Sequence, residues 1–134
     1  RRAMEKAQER TSIDSSKAIY KYLHPRMQDL DVEEAWIMLL NQHYKLIKAM
    51  AISHGGITET AVDVRVILKE ALLCNATVLV LAHNHPSNHI QPSKPDDQLT
   101  QRVKKACEAV RIYFLDHVIV TDGTYYSYHD SGRL

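Results

Sequence analysis

Residues 77–82, TVLVLA, constrain this chain more than any other stretch. Six residues rich in apolar and β-branched side chains are too few for an ordinary helix, and no position is left to face water. The run predicts a strand buried on both faces, with further strands beside it and helices packed over the sheet.

The rest of the chain supplies those neighbours. EEAWIMLLN (33–41) is a second nearly unbroken apolar run, and HYKLIKAMAIS (43–53) alternates enough to pair with it through a tight NQHY connection. IYFLDHVIVTD (112–122) reads as another strand, and Gly123 turns the chain into TYYSYH, a last strand with exposed aromatic character. Helical spacing runs through SSKAIYKYLHPRM, where Ala18, Ile19, Tyr22 and Leu23 share a face and Pro25 marks the end or nearly so. DVRVILKEALLCN (63–75) is a helix with Asp63 as N-cap and Asn75 at the exit. SKPDDQLTQRVKKACEAV (93–110) is another, capped by Ser93 with Asp96 and Asp97 in its first turn. The order helix, two strands, helix, strand, helix, two strands implies an α/β fold, a mixed sheet with helices on its faces. Residues 13–134 are expected to form a single domain, and 1–12 a charged lead-in or the remainder of an upstream region. The loop 53–63, with Gly55 and Gly56, is expected to flank any cleft and to be mobile.

Composition narrows the function classes. A formal net charge of +1 gives no electrostatic reason to expect nucleic acid or an anionic membrane surface. No apolar run is long enough to span a bilayer, and RRAMEKAQER lacks the apolar segment of a signal peptide. Cys74 and Cys107 sit in helical patterns without CxxC spacing, as expected of reduced thiols in a cytoplasmic protein.

Directly after TVLVLA comes HNHPSNHIQPSKPD (83–96). In extended chain the i, i+2 spacing turns His83 and His85 to one side, where two imidazoles can grip one cation. A catalytic zinc site uses three protein ligands and leaves a position for water. Asp96, eleven residues after His85 in the first turn of the next helix, supplies the third, and Ser93 sits where its hydroxyl faces the same place. Pro86 and Pro92 stiffen the loop, and His89 breaks the same-face spacing, so it is expected in solvent or at most against substrate. Asp116 and His117, a polar pair inside an apolar strand, are candidates to orient a metal-bound imidazole or to form a buried hydrogen-bonded pair. Tyr125, Tyr126 and Tyr128 alternate on the last strand and are candidates for packing or for the surface of a homodimer.

His-x-His, seven residues, Ser, two residues, Asp resembles the JAMM motif of the JAB/MPN metalloprotease superfamily. LAHNHPS, a following PS and Asp, and then LDHVIV with a glycine turn resemble its RadC-like branch in bacteria, over nearly the whole chain from about Ser15. The resemblance implies a JAB/MPN-like layered fold, related to that of cytidine deaminases, with Zn2+ held by His83, His85 and Asp96. It implies a glutamate at the start of a buried strand as the base that handles the attacking water. Similarity to RadC-like sequences favours Glu33; counting back from Asn41 as in the peptidases favours Glu34, and of the two Glu33 is preferred. Ser93 is then the hydroxyl that stabilises the oxyanion. The implied activity is zinc-dependent hydrolysis of an amide or isopeptide bond in a peptide or protein substrate.

The alternatives are a DNA-repair-associated module, after the historical label of RadC-like proteins, and a scaffold that binds metal without catalysis. Near-zero net charge and the lack of a helix-hairpin-helix pattern give the DNA reading little support. The letters HNH do not make a nuclease, whose residues are spread over a ββα unit. A nucleobase deaminase needs His-x-Glu and a later Pro-Cys-x-x-Cys, and neither is present.

Overall fold

The computed structural model describes residues 10–56 and 61–134, so most of the expected lead-in and positions 57–60 of the expected loop lie outside the described residues. Among these there are three helices, α1 (Ser16–Met27), α2 (Val64–Leu73) and α3 (Lys94–Ala109). The five strands are β1 (Glu34–Leu40), β2 (Leu46–His54), β3 (Val78–Asn84), β4 (Tyr113–Val120) and β5 (Tyr125–Ser127), and they form one sheet in the order β2-β1-β3-β4-β5. Only β3 and β4 run parallel; the other pairs are antiparallel. This is the expected α/β arrangement of helices on a mixed sheet.

All seven residues of β3 are buried, as the unbroken apolar run requires. Its alternation divides the core. Leu79 and Leu81 join Ala35, Ile37 and Leu39 of β1 beneath α2 and α3, where Ile67, Ala71, Leu99 and Val103 pack. Val78, Val80 and Ala82 face the other way, with Met38 and Leu40, against Ile19, Leu23 and Met27 of α1. Each helix start has a side-chain cap: Ser15 for α1, Asp63 for α2 and Ser93 for α3. Asn75 follows α2 with φ +57°, the left-handed conformation that asparagine tolerates at a helix exit. Burial lifts the Cys107 thiol to about 11, so it behaves as a small apolar side chain.

Three boundaries differ from those read in the sequence. β3 runs two residues further, through His83 and Asn84, because His83 pairs with Ala35 and Ile119 and the Asn84 side chain fastens to the start of β1. β2 keeps His54, which the sequence places in the loop. The last strand shrinks to three residues, and Tyr128 beyond it is buried rather than exposed, its ring stacked on His117 at 4.8 Å.

β4 carries one irregularity, between its pairings with Leu79 and Val80. Phe114 pairs with Leu79, but Val80 pairs with Asp116, so Leu115 is an extra residue. Such a bulge moves every later side chain to the opposite face. His117 therefore aligns with Leu81 on the α2/α3 face, whereas Asp116 turns toward α1.

Candidate metal centre

At the end of β3, parity and pairing assemble a site. His83 shares the face of Leu79 and Leu81, and His85 continues that parity just past the strand. In the antiparallel β1/β3 register Ala35 stands opposite His83, so Glu33 stands opposite His85 when the register is carried one pleat further. Glu33 thus falls on the histidine face and Glu34 on the other. The Glu34 carboxylate accepts instead from Trp36 Nε1 (3.0 Å) and pairs with His54 Nδ1 (2.6 Å). The peptide carrying both glutamates is clamped by Asn84, the middle residue of His-x-His. Its Oδ1 accepts from Glu34 N at 2.7 Å, and its Nδ2 donates to the Val32 carbonyl at 3.0 Å.

Asp96 arrives from the opposite direction, in the first turn of α3. A reciprocal capping box holds it: Ser93 Oγ accepts from Asp96 N (3.2 Å), and Asp96 Oδ2 accepts from Ser93 N (2.7 Å). Glu33, His83, His85 and Asp96 each offer a ligand atom, all within 4.8 Å of one another. His83 Nε2 lies 3.1 Å from His85 Nε2 and 3.0 Å from Asp96 Oδ1. His85 Nε2 lies 3.2 Å from Asp96 Oδ2 and 3.8 Å from Glu33 Oε2. His83 and Asp96 are fully buried, and the Glu33 side chain is 32% exposed, which leaves it open to a cleft of about 360 Å³ lined also by His85, His89 and Ser93.

The hydrogen bonds say which nitrogens carry protons. The His89 carbonyl can only accept, so His85 Nδ1 donates to it and a neutral His85 turns a lone pair at Nε2 toward the site. The Nδ1 of His83 is 2.8 Å from His117 Nε2, and His117 Nδ1 is 2.6 Å from Thr100 Oγ1. Two imidazole lone pairs about 3 Å apart repel unless a proton or a metal ion lies between them. Asp96 Oδ1, buried and 3.0 Å from His83 Nε2 but off a hydrogen-bonding direction, has no hydrogen-bond partner among the described residues. Imidazole nitrogens that converge on one another and a buried carboxylate oxygen left without a donor are the chemistry of a cation site.

The electrostatics agree. Burial pushes the Asp96 carboxyl up, but the imidazoles of His83 and His85 outweigh it and hold the group well below the usual carboxylate range. Burial pulls His85 down, and this is overcome by Asp96, the His89 carbonyl and Glu33, which raise it. His117, wholly enclosed, is driven well below the ordinary imidazole value by burial and by His83.

Asp116 does not reach this cluster. The bulge aims it across the sheet, where it accepts from Ser127 Oγ (2.6 Å) and His129 N (3.0 Å), and burial raises its pKa. Of that polar pair only His117 touches a histidine of the site. The ring of His89 is exposed, yet its carbonyl orients His85, a role that side-chain patterns do not reveal. Asn84 and Thr100 were also missed. Thr100 lies four residues after Asp96, one helical turn on, and that spacing was the available signal.

Comparison with known proteins adds the family context. The family described as "RadC-like JAB domain" matches residues 13–133. A UPF0758 protein of Porphyromonas gingivalis is 44% identical over 126 residues, covering 93% of this chain and 56% of its own length. A UPF0758 protein of Flavobacterium johnsoniae is 42% identical over 120 residues (90% and 52%), and one of Haemophilus ducreyi 36% over 119 residues (89% and 53%). The chain spans about half the length of the curated relatives it matches. No helix among the described residues is long and apolar enough to cross a membrane.

Proposed function

Since the chain belongs to the family of RadC-like JAB domains, we propose that it is a zinc-dependent hydrolase of amide bonds, a peptidase or isopeptidase. One observation carries the reading: His83 Nε2 and His85 Nε2 lie 3.1 Å apart, and the Asp96 carboxylate meets them both, its unpartnered Oδ1 3.0 Å from His83 and its Oδ2 3.2 Å from His85. Tetrahedral zinc, with bonds of about 2.0–2.2 Å to nitrogen and oxygen, separates its ligand atoms by roughly 3.3–3.5 Å. The observed spacings are a few tenths of an ångström tighter, within reach of small side-chain rotations. Two nitrogens and one carboxylate suit zinc better than calcium or magnesium, which favour all-oxygen sets.

His83, His85 and Asp96 would hold the ion, which supplies Lewis acidity toward water and a carbonyl oxygen. Glu33, on the histidine face yet partly open to the cleft, takes a proton from the attacking water and delivers it to the leaving amine. Ser93 Oγ accepts from Asp96 N, which leaves its own proton to donate to the carbonyl oxygen as negative charge develops there. The open cleft beside Glu33 and Ser93 suits an extended peptide rather than an enclosed small molecule.

Elemental analysis of protein purified without chelator, beside His85→Ala and Asp96→Ala, tests the site. About one zinc per chain is expected in the wild type, with loss in both variants. A wild type that takes up no zinc even when it is added back near neutral pH refutes the proposal, and the scaffold or DNA-associated readings then lead.

A further inference from the structure

Behind His83 the hydrogen bonds form a circuit, and one arrangement of protons satisfies every bond in it. The Asp96 carbonyl can only accept, so Thr100 Oγ1, 2.9 Å away, spends its single proton there. Toward His117 Nδ1, at 2.6 Å, Thr100 must then accept, so His117 carries its proton on Nδ1. His117 is 0% exposed, and its ring nitrogens bond only Thr100 and His83 among the described residues. With no carboxylate among its hydrogen-bond partners, it is held neutral and presents a lone pair at Nε2. His83 must therefore donate from Nδ1, which bares Nε2 toward Glu33, His85 and Asp96.

We infer that Thr100 and His117 are positioning residues that lock His83 in the one tautomer able to ligate a metal ion. The circuit begins on the backbone of Asp96 and ends on a ring beside its carboxylate, so the first turns of α3 set two ligands at once. Tyr128 holds the relay ring in plane. It stacks on His117 with an interplanar angle of 5°, its hydroxyl donates to Asp97 (2.7 Å), and Arg133 bonds the same carboxylate (2.8 Å). This inference rests on the metal-binding role proposed for His83, but the proton positions can be read without any metal.

The experiment compares wild type, Thr100→Val and Thr100→Ser. Valine keeps the shape of threonine and removes the hydroxyl, so His117 loses the acceptor that fixes its proton; serine restores it. Zinc affinity, measured by competition with a chromogenic chelator, is expected to fall about 10- to 100-fold in Thr100→Val and to recover in Thr100→Ser. In metal-free protein, well above the ordinary imidazole range, the ring-nitrogen resonances of His83 are expected to show Nδ1 protonated and Nε2 bare in the wild type. Thr100→Val should shift that balance. Unchanged affinity in Thr100→Val, or a loss that Thr100→Ser does not restore, overturns the lock. So does a wild-type His83 protonated at Nε2, a result that needs no variant to fold and holds even if zinc does not bind.

Discussion

Ser93 has two jobs, and one substitution series separates them. Its Oγ accepts from Asp96 N at 3.2 Å as the N-cap of α3, and the residue is exposed. Ser93→Ala removes that acceptor but not the other half of the capping box, because the bond from Ser93 N to Asp96 Oδ2 uses a backbone donor that alanine keeps. The expected loss is one N-cap, about 1 kcal/mol. For a domain of this size that lowers the melting temperature by roughly 4 °C. Ser93→Asn keeps a capping oxygen while removing the hydroxyl, so it is expected to melt within roughly 1 °C of wild type on the same scale. Far-UV circular dichroism during heating, on metal-free protein, measures both. If Ser93 also stabilises an oxyanion, amide hydrolysis falls about 10²- to 10³-fold in Ser93→Ala, which leaves no donor in place of the hydroxyl. An unchanged melting temperature in Ser93→Ala, or an equal drop in Ser93→Asn, refutes the assignment of the cap. Full hydrolysis by Ser93→Ala refutes the catalytic role.

Other expectations follow from the same geometry. Glu33→Gln should retain bound zinc yet lose roughly 10²- to 10⁴-fold in amide hydrolysis. Glu34→Gln, on the opposite face, should lose only its pairing with the exposed His54, about 1 kcal/mol or less of stability in thermal melts. Asp116 is raised mainly by burial, so the folded state binds its proton more tightly than the unfolded chain does. Its contribution to stability is therefore lost as pH climbs from about 3.9, the unfolded value, through the raised folded one, and the penalty is complete above both. Denaturant titrations of wild type and Asp116→Asn across that window should show a pH-dependent gap; parallel curves count against it. Leu81→Ala, in the fully buried central strand, should cost about 2–5 kcal/mol in the same assay, and a cost under 1 kcal/mol speaks against that packing.

Much of this was legible because it depends on local pattern. TVLVLA could be little else than a doubly covered strand, and helix starts at Asp63 and Ser93 were written in single capping residues. The i, i+2 spacing of His83 and His85 put them on one side before any partner was known. The choice between Glu33 and Glu34 was different in kind. Alternation says only that the two face opposite ways; which one meets the histidines depends on the pairing of Ala35 with His83, a contact between strands nearly fifty residues apart. Backbone roles were invisible for a related reason. Nothing in the letter at position 89 says that its carbonyl will turn toward His85, and Asn84 reads as a spacer until β1 lies beside it.

The extra residue at Leu115 carries a consequence for anyone comparing such chains. Asp116 and His117 are neighbours in the text, but a phase change of one letter decides which of them sees the ligand histidines. Paired without that irregularity, the same letters would set Asp116 opposite Leu81 and present the acid where this strand presents its imidazole, with no change in composition. A gap misplaced by a single column between Ile112 and Val118 would therefore equate residues on opposite sides of the sheet. In this strand the pairing carries the information, and the letters acquire their meaning only once the register has been counted.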